Sequence, residues 1–79
     1  MYTVYVIQNP KGELYKGYTN GLEQRILYHN RAWSTWTKTR GPWQLVYSES
    51  FESKQDALRR EKFFKSGKGR EFLKNIIAG

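Results

Sequence analysis

His29 is the chain's only histidine, and Arg25 precedes it by four residues, so a helix here would put both on one face. The surrounding inventory narrows the chemistry sharply. There is no cysteine, no serine-centred elbow, and no glycine-rich phosphate loop of the dinucleotide or Walker type. Catalysis by this chain would have to rely on tyrosine, arginine, histidine and a few carboxylates. Arginine is always charged and forks onto phosphate, where it can stabilise charge that builds during a reaction.

The elements that must position these groups can be read from pattern. Residues 2–8, YTVYVIQ, are β-branched and aromatic and predict a strand. Asn9-Pro10-Lys11-Gly12 is a turn signal, and residues 13–18, ELYKGY, return as the second strand of a hairpin. Alternation sets Leu14, Lys16 and Tyr18 on one face and Tyr15 and Gly17 on the other. Thr19 or Asn20 can cap a helix over residues 21–31, whose apolar stripe is Leu22, Ile26 and Leu27. Residues 33–42 read as a polar loop and 43–51 as a third strand. Ser53 opens a second helix with Asp56 as capping-box partner. Gly67 and Gly69 are expected to break the chain before a short last helix, residues 70–77. The order is β-β-α-β-α-α, a small α/β domain of the α+β type, with a three-stranded antiparallel sheet flanked by helices.

The whole chain, residues 1–79, reads as a single domain. An apolar fraction of 38% is low, but 16% aromatics offset it, because each ring can bury roughly 150–250 Å². The N-terminus lacks the basic region of a signal peptide, and no stretch approaches a membrane span. A cytoplasmic protein is expected. Fourteen Lys and Arg against seven Asp and Glu leave a net charge of +7, so the expected partner is a polyanion, nucleic acid foremost.

With those elements in place, the sequence resembles the GIY-YIG nuclease superfamily, and its small stand-alone members most of all. The blocks Thr3-Val4-Tyr5 and Tyr15-Lys16-Gly17 are similar to the two that name it, with the tyrosines ten residues apart on adjacent strands. TNGLEQRILYHN (19–30) looks like that family's helix with an Arg and a His one turn apart. GPWQLVYSESFESKQDALRREKFFK (41–65) looks like its next strand and helix, which deliver a metal-binding Glu. The resemblance implies that Tyr5 and Tyr15 are the two motif tyrosines, one of which helps activate the attacking water, and that Gly17 leaves room for the phosphate or metal. It implies further that Arg25 contacts the scissile phosphate, that His29 assists proton transfer, and that Glu61 binds one Mg²⁺ or Mn²⁺. Asn75 would support the site. The departures are TVY for GIY and YKG for YIG, the latter putting Lys16 where an apolar residue is usual.

The implied activity is metal-dependent hydrolysis of phosphodiester bonds in DNA, with RNA as the other substrate class. Substrate grip is expected from Trp36, Lys38 and Arg40 in the polar loop and from Lys65 and Lys68 near the last helix, by base stacking and phosphate contact. Each residue also has a plainer reading: Tyr5 as a strand aromatic, Arg25 and His29 as a solvated helix edge, Glu61 as a surface ion-pair partner. Their joint order favours the nuclease over a non-catalytic nucleic-acid-binding module on the same scaffold.

Overall fold

The structure, a computed structural model, describes residues 1–31 and 41–78. Its elements run β1 (Tyr2–Gln8), β2 (Leu14–Thr19), α1 (Leu22–Asn30), β3 (Gln44–Phe51), α2 (Lys54–Phe64) and α3 (Gly67–Ala78). This is the expected α+β order. The strands form one antiparallel sheet in the order β2-β1-β3, so β1 is central. Asn9 holds the hairpin turn: its Oδ1 accepts from the backbone N–H of Lys11 (3.1 Å) and of Glu13 (2.8 Å). Gly12 supplies the positive φ, +84°, that the turn needs.

Alternation along β1 divides the core in two. Val4 and Val6 are fully buried with Ala57 and Phe64 of α2 and Leu73 of α3. Tyr5 and Ile7 point the other way, packing with Trp43, Tyr15 and the α1 residues Leu22 and Ile26. The sheet is thus covered by α1 on one face and by α2 with α3 on the other. Asn30 ties α1 to the start of β3, accepting from the Trp43 N–H (2.6 Å) and donating to its carbonyl (3.1 Å).

Three local expectations are corrected. The N-cap of α1 is Gly21, and neither Thr19 nor Asn20 caps it; Thr19 Oγ1 instead accepts from the Gly21 N–H at 3.1 Å, closing the strand-to-helix turn. Leu27 is 52% exposed, and the buried face of α1 passes through Leu22, Ile26 and His29. Gly67 and Gly69 do not break the chain but lie in the first turn of α3. Ser66 starts that helix, its hydroxyl accepting from the Gly69 N–H (3.2 Å) and its carbonyl from Arg70 N–H (3.0 Å). By contrast Ser53 caps α2 as expected, accepting from the Gln55 and Asp56 N–H groups at 3.2 and 3.5 Å.

Candidate active site

The cross-strand register sets Tyr5 opposite Gly17, and the phenol ring of Tyr5 lies over the glycine. A Cβ at position 17 would sit 2.7 Å from the Tyr5 hydroxyl oxygen. The room left by the missing side chain is therefore taken first by the phenol. Tyr5 is 2% exposed, and its hydroxyl is hydrogen-bonded to His29 Nε2 at 2.9 Å. His29 is equally buried, at 2%. The Tyr15 ring completes the group, its centroid 4.6 Å from that of His29 and 6.4 Å from that of Tyr5.

Burial governs the ionisation of the bonded pair. Desolvation pushes the Tyr5 phenol well above its ordinary value, with the hydroxyl of Tyr15 and the carboxylate of Glu61 acting in the same direction and Arg25 opposing them. At Tyr5 the cost of removing the anion from water outweighs the pull of the nearby Arg25 cation. His29 is pushed down, first by desolvation and then by the Arg25 charge. Both groups are held neutral near neutral pH.

Beside this pair opens a cleft of about 470 Å³ whose walls include Tyr5, Tyr15, Gly17, Arg25, Glu61 and Lys65. The elements β1, β2, α1 and α2 all contribute to it. Arg25 is exposed on the α1 side, its guanidinium over the Tyr28 ring at 5.3 Å from the centroid. Glu61, with its side chain 17% exposed, is the sole carboxylate lining the cleft among the described residues, and it pairs with Lys65 Nζ at 3.2 Å.

Among the described residues no group of three or more acidic, histidine or cysteine side chains is arranged to hold a metal. The donor set fits a hard cation held through one carboxylate and otherwise by water and substrate oxygens, as Mg²⁺ or Mn²⁺ is, and not a protein-caged ion. Lys65 is the more exposed member of the ion pair, at 56%, and can swing away from Glu61.

The structure thus brings Tyr5, Tyr15, Gly17, Arg25, His29, Glu61 and Lys65 together. It does not bring Asn75, which is exposed on α3, or Lys68, in the first turn of α3, into the cleft wall. Trp36, Lys38 and Arg40 lie outside the described residues. Sequence reasoning missed Lys54, which lines the cleft from the start of α2, and Tyr28 beneath Arg25. The spacing of Arg25 and Tyr28, three apart on a helix, was a usable signal for the second; Lys54 had none, since it reaches the cleft only through the docking of α2.

Comparison with known proteins is consistent in sequence and fold. The GIY-YIG catalytic domain model matches residues 1–75. A UPF0213 protein of Staphylococcus saprophyticus is 40% identical over 77 residues, 96% of this chain and 94% of that protein. One from Clostridium perfringens is 44% identical over 63 residues, 78% of this chain and 68% of its own. The solution NMR structure of a UPF0213 protein from Bacillus halodurans superposes with a TM-score of 0.60 at 34% identity, covering 100% of this chain and 88% of that one. With its two tyrosine blocks in register on a hairpin and its arginine and glutamate lining one cleft, the chain belongs to the GIY-YIG nuclease family.

Proposed function

We propose that the protein is a metal-dependent endonuclease that hydrolyses phosphodiester bonds, in DNA foremost, with structure-selective or weak sequence preference. The observation that carries this reading is the Tyr5–His29 hydrogen bond at the edge of a cleft whose walls also hold Arg25 and Glu61. A substrate phosphate in the cleft would meet the Arg25 guanidinium, which donates two hydrogen bonds to its non-bridging oxygens and stabilises charge gained in the transition state.

The buried pair then acts as a proton relay. The protonated phenol of Tyr5 donates to neutral His29 Nε2. As water attacks phosphorus, its proton passes to Tyr5 Oη while the phenol proton passes to Nε2, so no free phenolate is required. The new P–O bond forms as the bond to the leaving oxygen breaks, and the leaving oxygen takes a proton from solvent. Tyr15, tilted against both rings, fixes their orientation and bounds the space left for water. Mg²⁺ or Mn²⁺, held by the Glu61 carboxylate, would supply positive charge against the developing negative charge on phosphate.

The binding-module reading rests on one observation, the Glu61–Lys65 ion pair, in which a lysine supplies the carboxylate with a counter-charge. A labelled panel of single strand, duplex, flap, branched DNA and RNA separates the two, with Mg²⁺, Mn²⁺ or EDTA. Cutting by the wild type is expected to need the metal and to vanish in Glu61→Ala. Tyr5→Phe is expected to lower the rate about 10²–10⁴-fold, the range of general acid–base catalysis. Cleavage that survives Glu61→Ala would remove Glu61 as the metal ligand, and binding of the whole panel without cleavage would leave the binding module.

A further inference from the structure

Lys16 stands in a place where its neighbours are apolar. It pairs with Val6 across the hairpin and shares its face of β2 with Leu14 and Tyr18, both of which pack against the core cluster of Val4, Val6, Phe64 and Leu73. Its side chain is half-buried on that face, and no ion pair among the described residues includes it; those pairs are Asp56–Arg59, Glu49–Arg60 and Glu61–Lys65. The charges that act on it are two more cations, Arg70 and Lys65. The fold thus sets Lys16 under the charge of two further cations, and the one carboxylate lining the cleft among the described residues, Glu61, is already engaged by Lys65.

The cavities on either side give this cluster a direction. Lys16 and Lys65 line the open cleft that holds Arg25 and Glu61. Two residues away on the same face of β2, Leu14 lines a second cavity of about 190 Å³, whose other walls include Arg70 and Lys74. Strand residues two apart are roughly 7 Å apart along the chain. A path therefore runs from the cleft across Lys16 to Arg70, with cations along it.

We infer that Lys16, Lys65 and Arg70 form a phosphate-binding strip that carries the nucleic-acid backbone out of the cleft toward α3. The inference rests on the reading that nucleic acid occupies the cleft, and it adds the course of the strand and the residues that hold it. A half-buried lysine among like charges opposes folding, and burial together with Arg70 and Lys65 holds its pKa below the usual lysine value. An anion laid across the three relieves that repulsion, so the arrangement is unfavourable in the free protein and favourable in the complex. Contacts of this kind are to phosphate and do not depend on base sequence.

The test is binding of a fluorescent DNA oligonucleotide, measured by anisotropy in EDTA over a salt series, so that cleavage does not enter. Wild type is compared with Lys16→Met, Arg70→Gln and the double variant, with Lys11→Gln in the hairpin turn as a remote control. Each lost phosphate contact should lower the salt slope by about 0.7 for single strands or 0.9 for duplex. The double variant is expected to lose about one to two units of slope and to weaken binding equally for unrelated sequences. Lys16→Met alone should melt no lower than wild type, since it removes an uncompensated cation from an apolar face. A slope unchanged in the double variant, a loss matched by Lys11→Gln, or a wild type that binds no nucleic acid would overturn the strip. If the wild type cuts DNA but its slope ignores the double variant, the strip alone fails. Strip-dependent binding by a protein that cuts nothing would sink the catalytic reading and leave the strip standing.

Discussion

An alanine at position 17 would place its Cβ 2.7 Å from the Tyr5 hydroxyl oxygen and 2.9 Å from the ring carbon that bears it. Tyr5 cannot yield cheaply, because its ring is buried and its hydroxyl is tied to His29. Gly17→Ala should therefore destabilise the fold by about 1–3 kcal/mol, the usual range for overpacking a filled site. Adding Tyr5→Phe removes the closest atom of the clash, so denaturant melts should show the double variant losing less than the sum of the singles. Strictly additive losses would mean that the glycine serves something other than the phenol. The resemblance already set Tyr5, Tyr15, Arg25 and Glu61 in an order suited to one site. It did not show what surrounds them. That His29 would be buried, and that burial would hold the Tyr5 phenol protonated, depends on α1 docking over the sheet, which no local pattern encodes.

At the scale of elements, the hairpin, the third strand and the α2 cap were legible because each is a local signal: β-branched runs, a turn tetrad, and Ser53 two and three residues ahead of the amides it accepts from. The α2–α3 junction was not, since glycine looks the same in sequence whether it ends a helix or admits a neighbour. Gly69 admits one. A Cβ there would fall 1.8 Å from the Phe63 carbonyl oxygen and 2.6 Å from the Phe64 Cα, both backbone atoms that cannot rotate aside. Gly67, two residues earlier in the same helix, has nothing within 4 Å of its Cβ direction. Opposite effects are expected from one substitution. Gly69→Ala should cost about 3 kcal/mol or more by forcing the helices apart. Gly67→Ala should stabilise by about 0.4–1 kcal/mol by restricting the unfolded chain. Thermal melts of the two variants check the pair, and a stable Gly69→Ala would show that α3 can shift away from α2.

For the molecule as a whole, one buried hydrogen bond should shape stability at both ends of the pH scale. His29 has its pKa below the ordinary 6.5 in the fold, facing Tyr5, Tyr15, Tyr28 and the Arg25 charge. As pH falls below 6.5 the unfolded chain takes up that proton first, so stability present above 6.5 is lost until the folded imidazole also protonates. Tyr5 works in the opposite sense: its pKa lies above the ordinary 10.0, and the unfolded chain releases the phenol proton first as pH rises past that value. Stability from Tyr5 is then complete below 10.0 and drains away above it. Lys16, with a lowered pKa, acts against this in the same alkaline window, where shedding its charge eases the fold. Tyr5→Phe isolates the tyrosine, since it leaves Lys16 in place. Denaturation midpoints followed from pH 5 to 11 should fall at both ends for the wild type. In Tyr5→Phe the alkaline decline should be reduced and the plateau lowered by about 1–3 kcal/mol, the cost of leaving the buried His29 without this partner. An alkaline limb that is the same in both proteins would mean that Tyr5 ionises as freely in the fold as in the unfolded chain. Burial would then not be what holds the phenol proton in place for the relay.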